Sequence, residues 1–226
     1  MTVKAAPLSS TRPAPGRRAQ ERGDATKAKL VEAASREFTG RGYDGVTLRD
    51  IETAADVQRG LVKYHFGGKE DIFKAVVNEI FGNLIKYRDE RDETAKDLSP
   101  KERLAFRIRS FVRYSAARPE LNRLMVQEGK TDSWRLAYIL DNHLRQTVLD
   151  LKDQATINLS LTNEEFCHWY FMYIGASALM FSMAPEAKKV FGIDVTSENV
   201  VTRHAHMVAN LLLSGVTEIS GNEDQA

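Results

Sequence analysis

The chain has 226 residues, of which 42% are hydrophobic and 28% charged, the composition of a soluble globular protein with one large or two small domains. Its single cysteine, Cys167, excludes an internal disulfide and fits a reducing compartment. The net charge of +1 averages over unequal parts. From Met1 to Phe66 there are twelve Lys or Arg against eight Asp or Glu, and the surplus of four lies in the first 23 residues. Attraction to phosphate is therefore expected at this end, with an affinity that falls steeply with salt.

Residues 1–23 are rich in Pro, Ser, Ala and Arg without a hydrophobic period, which predicts a disordered basic arm. The arm lacks the apolar core of a secretory signal, so the protein is expected in the cytoplasm. A helix follows, with Leu30, Val31, Ala33, Ala34 and Phe38 on one stripe and a stop at Gly42. Thr47 precedes Asp50 by three residues, the spacing of a reciprocal cap, and opens a short helix that buries Leu48, Ile51 and Ala55. Asp56 occupies a turn that needs a left-handed residue. The next helix is anchored by Val57, Val62 and Phe66, leaving Gln58, Arg59, Leu61, Lys63 and Tyr64 facing outward.

Three runs, LVEAASREFTGRGYDGVTLRDI, AADVQRGLVKYHF and GGKEDIF, occur in this order. Together they resemble the N-terminal DNA-binding domain of TetR-type transcriptional repressors, over roughly residues 24–75. The resemblance implies an all-α fold: a three-helix DNA-binding domain with a helix-turn-helix at 24–68, then a helical effector-binding and dimerisation domain at 69–220. In a helix-turn-helix the second helix enters the major groove N-terminus first. Gln58 and Arg59 are thus the expected base contacts, suited to adenine and guanine edges. Lys63 reads a base or pairs with a phosphate, and Leu61 lies beside a thymine methyl. Thr47, Tyr64 and Lys69 match family positions that hold phosphates. Arg17 and Arg18 in the basic arm are placed for the adjacent minor groove, with a merely solubilising tail as the equal alternative. The chain departs from the family at Asp56, where Gly is usual, at Glu52, where Ala is common, and at Lys63, where an aromatic is frequent. The first two bear on how closely the two helices pack.

Beyond Phe66, apolar pairs from Ile72 to Ile85 recur at helical spacing, and the charged run KYRDERDETAKD is expected to end that helix. Ser99, Pro100 and Glu102 make a helix start. One helix runs from there to Arg118, a short one begins at Pro119, and another spans about 132–158. Thr162 and Glu165 cap a helix that is apolar nearly all round, from Phe166 to Ala184, with Pro185 as its stop. Its length approaches a membrane span, but its Ala, Gly and Ser content and the soluble remainder favour burial between a core and a second subunit. A last helix starts near Thr196.

Gly175, Ala178, Ser182, His204, Val208 and Leu211 on these two helices are the expected face of a four-helix homodimer interface. A dimer places two reading heads on the half-sites of a pseudo-palindromic operator, about 34–36 Å apart. By resemblance the C-terminal domain also holds a small-molecule effector. Phe106, Tyr114, Met125, Trp134, Tyr138, His143, Trp169 and Tyr173 are the candidates to enclose it, although each also serves as ordinary core packing.

Catalysis finds little support. Cys167 and His168 are adjacent and diverge around a helix, His204 and His206 lie on different faces, and neither a phosphate loop nor a serine elbow occurs. No cofactor, metal or membrane partner is expected. A ligand-released repressor is the reading adopted; an activator, a DNA-organising protein and a helical enzyme are the alternatives.

Overall fold

The computed structural model describes residues 15–214, and every regular element among them is helical. The elements are α1 (Pro15–Arg41), α2 (Leu48–Ala54), α3 (Leu61–Phe66), α4 (Lys69–Thr94), α5 (Pro100–Ala117), α6 (Glu120–Glu128), α7 (Trp134–Ile139), α8 (Arg145–Leu159), α9 (Asn163–Ser182), α10 (Ala184–Phe191) and α11 (Glu198–Ser214). A π-helical stretch, Leu140–Leu144, joins α7 to α8.

Most of the helix ends follow from local chemistry. α1 stops where Gly42 turns left-handed at φ +73. The Thr47 hydroxyl accepts from the Asp50 amide at 3.2 Å while the Asp50 carboxylate accepts from the Thr47 amide at 2.8 Å, the reciprocal cap expected from the spacing. The same device opens α5 through Ser99 and Glu102, and α9 through Thr162 and Glu165. Asp56 takes φ +51, the left-handed turn its side chain tolerates.

Three boundaries differ from the sequence expectation. α1 begins at Pro15, so residues 15–23 are helical backbone rather than irregular arm. The stretch is composed largely of good helix formers but has nothing to bury, and so shows no period. Arg17 and Arg18 lie on it, with side chains outside the described residues. The charged run after Lys86 does not end α4, which continues to Thr94, because Lys, Arg and Glu extend an exposed helix without tertiary support. Pro185 does not simply stop the chain but sits in the first turn of α10, where its missing N–H costs nothing.

Two cores organise the helices. The first gathers Leu30, Ala34 and Phe38 of α1, Ile51, Val62, and Ile72 through Phe81 of α4. It also takes in Tyr114 of α5, Leu121 and Leu124 of α6, and Ile139 of α7. The reading head is therefore packed directly onto the body, and the first three turns of α4 belong to both. The second core lies among α5, α8, α9 and α11, around Leu104, Ile108, Val112, Trp169, Tyr173 and Val208. Phe111 of α5 packs against both. Among the described residues no helix is long and apolar enough to cross a membrane.

Candidate nucleic-acid interface

The α2–turn–α3 unit presents one open face. Gln58 and Arg59 are exposed, but they lie in the turn just ahead of α3 and not in its first turn. Lys63 and Tyr64 follow on the outer side of α3, Tyr64 being 80% exposed. Leu61 departs from expectation. It is half-buried against the head's core and not on the open face, because the first apolar residue of so short a helix is needed to hold it down.

Thr47 is exposed at the start of α2, its hydroxyl donating to Asp50 at 2.8 Å, with Arg49 exposed beside it. Lys69, the first residue of α4, is half-buried with its ammonium 4.3 Å from the centre of the Tyr43 ring.

Glu52 is the unexpected member of the head. Although charged, it is only 5% exposed. Its Oε1 accepts from the Gly60 amide at 2.8 Å and from the Val62 amide at 3.1 Å, while its own backbone carbonyl accepts from the Val57 amide at 3.1 Å. Gly60, the cap residue of α3, has no side chain to offer and stands at φ +92.

A joint connects head to body around Tyr43, in the turn after α1. Its ring meets Phe38, Phe73 and Trp134 at 5.6, 5.2 and 5.7 Å, and Arg135 of α7 lies over it at 4.7 Å. Arg135 also pairs with the buried Glu128 of α6 at 2.6 Å and reaches Asp44 of the head at 3.6 Å. One turn further along, Asn78 of α4 accepts from the Tyr138 hydroxyl at 2.9 Å and lies 2.8 Å from His143 Nε2. The His143 ring stacks on Phe81 at 5.1 Å, and burial lowers its pKa.

The eight side chains expected to enclose an effector are thus distributed. Trp134 is 40% exposed at the joint, Tyr138 and His143 grip α4, and Tyr114 and Met125 belong to the first core. Trp169 and Tyr173 stack at 5.4 Å in the second core, with the Trp169 indole donating to the Leu212 carbonyl at 3.1 Å. Phe106 is half-buried on α5. A cleft of about 470 Å³ between α1, α4 and α6, lined by polar residues such as Glu32, Arg36, Glu79 and Arg123, includes none of the eight.

The expected dimer face also needs correction. Ala178 and Val208 are 1% and 2% exposed within their own subunit, Ser182 accepts from Asn122 at 2.8 Å, and His204 contacts the Ala176 carbonyl at 2.8 Å. Gly175 is half-buried, and Leu211 stands open at 63%. The apolar residues that face outward are Phe171, Met172 and Leu179 on α9, Met183 at its C-terminal cap, and Met207 and Leu211 on α11. A helix apolar nearly all round has no period that tells its inner face from its outer one. Among the described residues no group of three or more His, Cys, Asp or Glu is placed to hold a metal ion.

The three-helix head, with its exposed turn ahead of α3, has the form of a helix-turn-helix unit on a two-core helical body. Residues 30–76 match the family described as bacterial regulatory proteins, tetR family, so the match covers the three-helix head and the start of α4. The probable HTH-type transcriptional regulator YttP of Bacillus subtilis is 26% identical over 119 residues, covering 53% of this chain and 58% of YttP. This chain therefore spans little more than half the length of that relative. IcaR of Staphylococcus epidermidis, a negative transcriptional regulator of the biofilm operon icaADBC, is 25% identical over 154 residues, 64% of this chain and 82% of IcaR. In fold, the chain is similar to the transcriptional regulator FadR from Bacillus subtilis in complex with stearoyl-CoA. The TM-score is 0.61 at 19% identity, over 84% of this chain and 98% of that one.

Proposed function

We propose that the protein is a homodimeric transcriptional repressor that is released from a pseudo-palindromic operator by a small-molecule effector. The observation that carries this reading is the exposed Gln58–Arg59 turn, with Lys63 and Tyr64 beside it, on a TetR-type head. Gln58 and Arg59 read base edges, Lys63 reads a base or holds a phosphate, and Thr47, Tyr64 and Lys69 hold phosphates. Arg17 and Arg18 reach the minor groove from the start of α1. One head reads too few bases, and the outward stripe of Phe171, Leu179, Met207 and Leu211 supplies the surface on which a second copy pairs. The negative regulation by IcaR supports repression, and the stearoyl-CoA in the FadR complex supports an effector.

Release follows from the packing of head on body. An effector that favours a second arrangement of the body shifts α4 through Asn78 and the head through Trp134 and Arg135, so that the two heads no longer match the half-site spacing. Operator DNA then weakens effector binding by the same factor that the effector weakens operator binding.

The test is gel retardation on a duplex selected by the protein from random DNA. Arg59→Ala is expected to abolish specific retardation while far-UV CD and dimer mass stay unchanged. Full specificity in that variant refutes the base-contact assignment.

A further inference from the structure

The reading turn has to be held in one shape before Gln58 and Arg59 can meet two particular base edges, and the turn carries little rigidity of its own. It contains no proline, it ends in a glycine at φ +92, and α3 behind it is only six residues long with no side-chain cap of its own. A single residue bridges both of its ends. The Glu52 carbonyl accepts from Val57 at the entry, and the Glu52 carboxylate accepts from Gly60 and Val62 at the exit.

We propose that Glu52 is a specificity-positioning residue for DNA reading: anchored in α2, it staples the 57–60 turn closed and fixes the direction in which Gln58 and Arg59 project. The inference rests on the reading of this head as a DNA interface. Glu52 touches no base and acts through the turn. Its burial is what makes the staple effective, since Oε1 accepts both amides from a side chain that is largely shielded from water, so little solvent competes for those bonds. It also accounts for two departures of this chain from the pattern it otherwise resembles. A long acidic side chain replaces a small one at 52, and Asp56 at φ +51 makes the left-handed turn between α2 and the Gly60 and Val62 amides that this side chain meets.

The experiment compares wild type, Glu52→Ala, Glu52→Gln and Gly60→Ala on two duplexes of equal length, one selected by wild type from random DNA and one unselected. Glu52→Ala is expected to lose at least about tenfold in affinity for the selected duplex, the size of one base-reading contact, and to change by less than about threefold on the unselected one, where phosphates dominate. Glu52→Gln keeps an acceptor at the same reach and is expected to fall between wild type and Glu52→Ala on the selected duplex.

Gly60→Ala strains the turn at its other end without a clash, since a Cβ there meets nothing within 4 Å, and is expected to reproduce the selective loss. Amide exchange on the free protein provides a readout independent of DNA: the Gly60 and Val62 amides lose protection in Glu52→Ala while the Ile72 and Phe73 amides keep theirs. Equal losses on both duplexes, or unchanged selectivity with the two amides unprotected, overturn the proposal. A wild-type protein that selects no sequence overturns the DNA-interface reading itself, and this inference with it.

Discussion

Arg135→Ala is the most demanding test of how the head is fastened to the body. The side chain is 15% exposed and bonds Glu128, which is 3% exposed, at 2.6 Å. Removing the guanidinium leaves that carboxylate buried without its cation, a change that costs about 3–5 kcal/mol. The other two contacts are smaller. The Asp44 carboxylate is 85% exposed, so its bridge contributes less than about 1 kcal/mol, and the stacking over Tyr43 contributes about 0.5–1 kcal/mol.

The expected loss is therefore dominated by Glu128 and comes to about 4 kcal/mol, or about 8–16 °C in Tm for a chain of this size. Thermal unfolding followed by far-UV CD measures it. Asp44→Ala should shift Tm by no more than about 3 °C. The double variant Glu128→Gln, Arg135→Met should recover most of the loss, because it removes the charge that the single variant strands. A drop of under about 2 °C in Arg135→Ala, or a double variant no better than the single one, refutes the reasoning.

The remaining expectations concern assembly and pH. Leu211→Glu together with Met207→Glu, both on exposed positions, should convert the dimer to a monomer by sedimentation while leaving the CD spectrum unchanged; an unaltered mass contradicts the interface. Asp50, Glu102 and Glu165 have pKa values held below their ordinary values of 3.8 and 4.5, chiefly by the backbone amide of Thr47, the Ser99 hydroxyl and the backbone amide of Thr162 respectively. Since the folded values are the lower ones, this stabilisation is complete above about pH 4.5 and is lost as pH falls through them. Tm should be flat near neutrality and decline below that point, and less steeply in the Glu102→Gln, Glu165→Gln variant. Equal slopes in the two proteins would rule out the caps as the source.

The helical ends were legible because their signals are local: a hydroxyl three residues before a carboxylate, as at Thr47, Ser99 and Thr162, needs no tertiary partner to be recognised. The reading head was legible for the same reason, with Gln58, Arg59 and Lys63 exposed as their pattern requires. What escaped depends on contacts distant in sequence. Nothing near Trp134 in the chain announces that it meets Tyr43, and nothing near Glu52 shows that its carboxylate turns inward to two amides eight and ten residues on. A buried acid at a position usually small was the visible anomaly, and it pointed to helix packing rather than to the turn. Ala178 lies inward, against the sequence expectation, because α9 is apolar on nearly all sides and so hides its own orientation, whereas Val208 lies on the inward stripe of the amphipathic α11.

The central claim, that Gln58 and Arg59 read DNA sequence from two paired heads, is tested most directly by selecting duplexes from random DNA with the wild-type dimer and with Arg59→Ala. The account predicts an inverted repeat with half-sites about one helical turn apart for wild type, and loss of preference at one position in each half for the variant. Recovery of the same repeat by both proteins, or of no repeat by the wild type, would contradict it.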